Sequence, residues 1–478
     1  MPIPALRAPR AFAGDKPGPF APGTGRDLRI LVDLPPGQRQ VDDSATTWDR
    51  LGVPDPSRLL WTLGQRDDIT MYCLADPEQA EDNGAVVLRG ADPRSDQMSF
   101  TATDMNGNRS ARAVWPYKQW EHQAAQTVPA GTTASAWLRD VMVARVAVEL
   151  RVDLLVTGSR PVLDTALQWI TEANPMTAEQ ALAVVELYLR GRRRYPMHAP
   201  NLLTFGEHQL LWSAARAQLP SGWQWGSALV AHGTAIKRDS PTFLSGSLHE
   251  RIVRLLRCRD RVHAALLVPQ NNQTAGEVTE ALDYFMVNLV GAFDAAARAA
   301  HLAAGLSPGS RRSAAWHHDT WRSRIHAVSP DLADLFAAGT DHSRVLEICR
   351  ILRNTVHGEA MHPLAVQDGR RPLRTLVSLP EDDAEDVAAL FDDLGGQDEW
   401  GLERLIPPRV HVDAARLIER LLPQSLQILD DALRLTPVER LDGVLTSDLI
   451  TAPPDDLDFG LGTRMRASLL LGLPVPTV

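Results

Sequence analysis

The sequence predicts an α/β layer built on a largely parallel sheet, followed by an all-α part. Three observations carry this expectation. Leu28 to Asp33 is a short, mostly apolar run ending in an acid. Val152 to Thr157 is a second such run, reached through a stretch with helical spacing, and alternation of strand and helix patterns is the mark of a parallel sheet. Beyond residue 176 the apolar residues fall mainly at helical spacing, over the longest distance between Glu280 and His301.

In chain order, residues 1–27 are rich in Pro, Gly and Ala without periodicity and read as a flexible leader. An α/β domain is expected over 28–175. Leu28 to Val32 suit a buried strand that delivers Asp33 at its C-terminal end. Ile69 to Leu74 and Ala85 to Leu88 are further short apolar runs among Asp, Gly and Pro, and predict strands and loops. Ser135 stands where it would cap a helix running to Glu149, before the Val152 to Thr157 strand. Acids and hydroxyls at such strand ends gather along one sheet edge, where ligands of open α/β sheets bind.

Residues 176–265 form an expected helical connecting region. Thr177, ahead of Glu179 and Gln180, starts a helix to Arg190, which Arg192, Arg193 and Arg194 follow. Arg251, Arg254, Arg257 and Arg261 repeat at near-helical spacing, a pattern that suits either phosphate contacts or a solvated arginine-rich face. A helical domain is expected over 266–478, with an acidic insertion at 381–399. In its longest helix Leu282, Phe285, Met286, Leu289, Phe293, Ala296 and Ala300 form the core stripe. Asp294, Arg298 and His301 are among the polar positions beside it.

Val345 to Met361 is the most coherent polar constellation. Steps of about 100° per residue put Val345, Ile348, Cys349, Leu352 and Val356 on one face. Arg350, Arg353 and His357 share another side, with Glu347 and Asn354 flanking them and Gly358 as a helix end. An ordinary surface helix carries the same pattern. Leu376 to Leu379 suits a short strand, and Val412 to Leu435 an amphipathic helix interrupted at Pro423.

The bulk composition bounds the function. The 478 residues exceed one ordinary core, and 44% hydrophobic with 23% charged residues is a soluble composition. No run of about 18 apolar residues suggests a membrane span. Cys73, Cys258 and Cys349 are too few and too scattered for a disulfide framework or a zinc ligand set, which makes a reducing cytoplasm the default compartment. The net charge of −10 speaks against a nucleic-acid partner only at first sight, because Glu381 to Glu399 holds nine acids and no Lys or Arg. Lysine occurs only at 16, 118 and 237, so 46 of the 49 basic residues are arginine, a skew that suggests a GC-rich bacterial source.

Arg353-Asn354-Thr355-Val356-His357 resembles the signature of HEPN domains, an Arg and a polar residue followed after a short spacer by His. Together with the long helix before it, the resemblance covers about residues 275–365. HEPN domains are small helical bundles, many of them metal-independent endoribonucleases that act as dimers. The resemblance implies that Arg353 or Arg350 holds the scissile phosphate, that His357 transfers a proton and that Asn354 supports them, with no metal cofactor. The family usually leaves four to six residues between Arg and His, whereas Arg353 leaves three and Arg350 six. The chemistry fits the residue types: arginine forks onto phosphate and keeps its charge, and histidine exchanges protons near neutral pH.

Asp153 to Arg160, preceded by a helix carrying Asp140, is similar to the later half of a PIN-like nuclease domain, a family that binds Mg²⁺ or Mn²⁺ with acids at the sheet edge. Asp33 matches the first-strand acid and Asp140 a helix acid, while Ser159 stands where another acid is expected. The resemblance implies a metal site at Asp33 and Asp140 in an active domain, and a non-catalytic one where the missing acid matters. His317, His318, Asp319 and His326 lack the spacing of a zinc motif and suit an exposed cluster better. Walker, dinucleotide-binding and nucleophile-elbow signatures are absent. The two resemblances together imply a cytoplasmic, RNA-directed protein. It is either a metal-independent endoribonuclease of toxin or phage-defence type, working as a homodimer away from membranes, or a non-catalytic interaction protein with degenerate nuclease-like domains.

Overall fold

The computed structural model describes residues 18–21, 25–34, 56–64, 66–75, 85–92, 97–104, 109–164, 170–171, 173–195, 206–356, 358, 360–366, 374–451 and 460–474. Residues 1–17 and 22–24 of the expected leader lie outside them, as does His357. The chain divides into two compact units. One is Met1–Phe205 with Leu469–Gly472, and the other is Gly206–Ser468 with Leu473–Val478. The expected connecting region, 176–265, is therefore shared between the units.

In the first unit the elements are β1 (Leu28–Asp33), α1 (Pro56–Gly64), β2 (Ile69–Ala75), β3 (Ala85–Asp92), β4 (Gln97–Thr103), β5 (Arg109–Pro116), α2 (Tyr117–Gln126), α3 (Ala134–Glu149), β6 (Leu154–Thr157), α4 (Arg160–Leu163), β7 (Asn174–Met176) and α5 (Ala178–Gly191). They build one sheet in the order β5-β4-β3-β2-β1-β6-β7. β3, β2, β1, β6 and β7 run parallel, and β4 and β5 close one edge as antiparallel strands. β1 is the middle one of the five parallel strands, and its Leu28, Ile30, Leu31 and Val32 are all buried, as a parallel strand covered on both faces requires. The strand order leaves β1 on one side for β2 and β3 and resumes on the other with β6. That makes the β1/β6 junction a topological switch point.

The helix ends show where local chemistry decides. Thr133, not Ser135, caps α3, its hydroxyl accepting from the Ala136 N–H at 3.2 Å; Ser135 already stands inside the first turn. Thr177 caps α5 with a reciprocal capping box to Gln180, as its sequence predicts.

The second unit is mostly helical: α6 (Glu207–Gln218), α7 (Gly222–Ala235), α8 (Ser240–Leu266), α9 (Asn272–Ala303), α10 (Asp319–His326), α11 (Pro330–Asp334), α12 (Asp341–Asn354), β8 (Pro363–Val366), β9 (Arg374–Ser378), α13 (Ala384–Asp393), α14 (Gln397–Trp400), β10 (Leu402–Ile406), β11 (Arg409–Val412), α15 (Ala414–Leu435) and α16 (Gly460–Leu470). It is not all-α. A four-stranded antiparallel sheet, β10-β11-β9-β8, sits among the helices, and the apolar pattern had announced only β9.

Long α9 starts at an Asn271–Thr274 capping box, eight residues before the predicted start. Its whole apolar stripe is buried. α12 starts at a Thr340 cap and ends at Asn354, and the described residues Thr355, Val356, Gly358, Ala360 and Met361 do not continue it. α15 runs through Pro423 without interruption. A proline inside a helix costs about 3 kcal/mol, and buried Leu417, Ile418, Leu421, Leu422, Leu426 and Leu429 on both sides of it offset that loss. Between α8 and α15, Arg259 and His263 both bond the buried Glu419 carboxylate, at 2.5, 2.9 and 2.7 Å. No helix among the described residues is long and apolar enough to cross a membrane.

Candidate functional site

The predicted polar face of α12 is present, but its two arginines differ. Val345, Ile348, Cys349 and Leu352 are buried and fix the helix. Arg350 forks onto Glu347, one turn back, with bonds of 2.5 and 2.8 Å. Those bonds hold the Glu347 carboxyl below the usual range and raise the Arg350 guanidinium further. Arg350 is thus committed to a partner. Arg353, half-buried in the last turn, has no ion pair among the described residues, and Asn354 closes the helix, exposed. The third member of the predicted motif, His357, lies outside the described residues.

What surrounds Arg353 comes from other elements. Asp294 of α9 interacts electrostatically with Arg298, His317, Arg251 and Arg353. Burial pushes its carboxyl upward and those four groups oppose the rise. His317 lies near His318, Arg350, Asp294 and Glu347, and burial followed by its cationic neighbours lowers its imidazole. Arg251 of α8 lies near Arg254, Asp294 and Arg298, and burial then Arg254 lower its guanidinium.

Five arginines (251, 254, 298, 350 and 353) and two imidazoles therefore share one field with three carboxylates, Asp294, Glu347 and Asp383, and Arg350 already engages Glu347. Such a concentration of guanidinium groups attracts phosphate, which accepts forked, charge-assisted bonds. A chain with a net charge of −10 still has this local field because most of its acids are placed elsewhere. The acidic window, for instance, includes α13 and α14, and its Asp393, Glu385 and Glu399 pair with Arg344, Arg404 and Arg420.

Sequence reasoning had named most of these residues separately. Arg251 and Arg254 belonged to the basic run on α8, and Asp294 and Arg298 to the polar edge of α9. The other two members of the basic run take ion pairs, Arg257 with Glu207 and Arg261 with Glu280. His317 and His318, read from the sequence as part of an exposed cluster, are exposed but do not lie on a helix. They precede α10 instead, and their rings lie 4.1 Å apart. The signal that was missed is Gly291, a glycine interrupting a long apolar helix.

In the first unit the switch point brings Asp33 and Asp140 together. Asp33 ends β1 directly opposite Thr157 of β6. Asp140 comes from α3, and the Ser159 hydroxyl donates to it at 2.6 Å. Burial raises the Asp140 carboxyl, Ser159 opposes this, and the Asp33 charge adds to it. Arg139, the neighbour of Asp140 that sequence reasoning passed over, donates to both oxygens of Asp33 at 2.5 and 3.0 Å.

Mg²⁺ or Mn²⁺ needs carboxylate oxygens directed at the ion. Here the two Asp33 oxygens face a guanidinium, an Asp140 oxygen faces a hydroxyl, and no group of three His, Cys, Asp or Glu suited to a metal occurs among the described residues. In this arrangement the residues do not fit the ion.

No family model, curated protein or solved structure matches the chain.

Proposed function

We propose that the protein is RNA-directed and that the cationic cluster of α8, α9 and α12 holds backbone phosphates of a bound RNA. The observation that carries this reading is the concentration of five arginines from three helices beside three carboxylates, Asp294, Glu347 and Asp383. The HEPN-like signature that begins at Arg353 in the last turn of α12 supplies the reaction class, metal-independent endoribonuclease chemistry, and with it a homodimer of toxin or phage-defence type. In the cleavage step His357 takes the proton of a ribose 2′-hydroxyl, and the 2′-oxygen attacks the adjacent phosphorus. The bond to the 5′-oxygen breaks, and that oxygen takes up the proton held by His357 or one from water. The products are a cyclic phosphate and a 5′-hydroxyl. Arg353, with the arginines around it, stabilises the charge that builds on the phosphorane.

The test is mixed RNA incubated with the purified protein in EDTA, with His357→Ala alongside. Cyclic phosphate ends that depend on His357 are expected. Intact RNA, or cleavage equal in the variant, removes the catalytic part, and no RNA binding at low salt removes the whole reading.

A second reading, a non-catalytic interaction protein, is favoured by one observation in the first unit. The Asp33 carboxylate that a PIN-like nuclease would turn toward a metal is held on both oxygens by Arg139.

A further inference from the structure

Gly291 lies in the interior of α9, where glycine is a much poorer helix former than alanine. Its φ is an ordinary helical one, so no turn requires it. What requires it is Arg251. A Cβ on residue 291 would stand 2.5 Å from the Arg251 Cζ and 3.0 Å from its Nε, and would collide with Nη1. The guanidinium therefore fills a notch beside the α9 backbone that a side chain on residue 291 would occupy.

The seat is electrostatically unfavourable as it stands. Arg251 is half-buried and has no hydrogen bond or ion pair among the described residues. Its nearest charges include two further cations, Arg254 and Arg298, against the single carboxylate of Asp294, which Arg298 and Arg353 share. Partly desolvating a cation beside like charges is costly unless an anion compensates. A guanidinium has five donors, and a phosphate oxygen pair matches its fork. Arg350, by contrast, spends its fork on Glu347.

We infer that the Arg251 guanidinium in the Gly291 notch, with Arg298 beside it and Arg353 acting on the same Asp294 carboxylate, is the seat of an RNA phosphodiester, and that Gly291 is the positioning residue that keeps it open. The inference rests on the RNA-directed reading and moves the phosphate contact from the α12 motif alone to a site shared by α8, α9 and α12. Arg251 touches the strand, whereas Gly291 acts only through Arg251.

The experiment is the salt dependence of binding of a mixed-sequence single-stranded RNA oligonucleotide to the full chain. Each phosphate contact to a single strand contributes about 0.7 to the slope of log affinity against log salt. Arg251→Ala is expected to weaken binding about tenfold at low salt, the loss of one charge-assisted contact, and to lower the slope by about 0.7. Gly291→Ala is expected to do the same although it keeps every charge, because its Cβ displaces the guanidinium. In the Arg251→Ala background it is expected to add nothing. Arg257→Ala, on the same helix but paired with Glu207, keeps the wild-type slope.

RNA binding by the wild type with an unchanged slope in Arg251→Ala, or with a Gly291→Ala loss that adds fully to that of Arg251→Ala, overturns this inference alone. No RNA binding by the wild type overturns the reading beneath it. Alanine is the better helix former and the obstacle is the end of a flexible side chain, so Gly291→Ala is expected to fold; near-wild-type circular dichroism confirms that before binding is measured.

Discussion

The Arg251 guanidinium occupies the volume that a side chain on Gly291 would need, its Cζ 2.5 Å from where a Cβ would stand. A glycine kept for a neighbour's side chain differs in energy from a glycine kept for its own backbone, and the same substitution separates the two. Gly291→Ala gains helix propensity while a flexible arginine end swings away, so stability is expected to stay level or rise by up to about 1 kcal/mol. Gly401 has φ +74° and would place a Cβ within 2.9 Å of Arg416 and Asp413 atoms. Gly401→Ala is expected to lose about 1–3 kcal/mol. Urea unfolding followed by circular dichroism measures both, and a larger loss at 291 than at 401 contradicts this account.

Acid is expected to weaken the second unit through Glu419. Burial alone would raise this carboxyl, but the Arg259 charge and the His263 bond outweigh it and push it down to about 2 from an ordinary 4.5. A depressed carboxyl contributes stability that is complete above its unfolded value and lost as pH falls through the folded one, here between about 4.5 and 2. Glu419→Gln leaves Arg259, 1% exposed, without its counter-charge and is expected to cost roughly 3–5 kcal/mol at pH 7. The gap between variant and wild type then narrows as pH approaches 2. A gap that is equal at pH 7 and pH 3 would show that the carboxylate charge is not what stabilises this site.

His317 predicts how RNA binding responds to pH. Burial, His318 and Arg350 lower its imidazole, while Asp294 and Glu347 act the other way. The free ring therefore takes up its proton at a lower pH than an ordinary imidazole, and a bound polyanion favours the charged form. Affinity for single-stranded RNA is expected to rise several-fold between pH 7.5 and 5.5, roughly the effect of one added charge-assisted contact. His317→Gln should remove most of the rise. A His317→Gln protein that keeps the full gain would shift the effect to the adjacent His318 or to His357.

Local pattern made the elements legible and pairing made the sites hard to see. β1, β6, α5, the stripe of α9 and the buried face of α12 follow from spacing and burial that each segment carries within itself. The β8–β11 sheet did not announce itself, because β8, β10 and β11 are four or five residues long and β8 and β10 are largely exposed, leaving no periodicity to read. The same distinction applies to charge. Arg251, Asp294, Arg298, His317 and Arg353 lie on segments up to a hundred residues apart, and only packing of α9 against its neighbours brings them into one field. That Arg350 would choose Glu347, and Asp33 would choose Arg139, depends on side-chain geometry that spacing alone leaves open.

Asp33 and Arg139 supply the last prediction. Asp33 is buried, and Arg139 satisfies both of its oxygens while remaining half-exposed itself. Asp140 is close enough for the Asp33 charge to raise its carboxyl. Arg139 is thus the cation that lets two buried acids share the switch point. Arg139→Ala removes it and is expected to destabilise the first unit by about 1–3 kcal/mol, the cost of an unpaired buried acceptor. Asp33→Asn in the same chain should restore much of that loss by removing the charge left behind. The single variant also leaves two adjacent carboxylates without a counter-ion, an arrangement a hard divalent cation accepts. Titration with Mn²⁺, followed by electron paramagnetic resonance, is expected to show tighter binding to Arg139→Ala than to wild type, with the gain absent from the Asp33→Asn double variant. Equal Mn²⁺ affinity in all three proteins would mean that the guanidinium does not stand in the place of a metal.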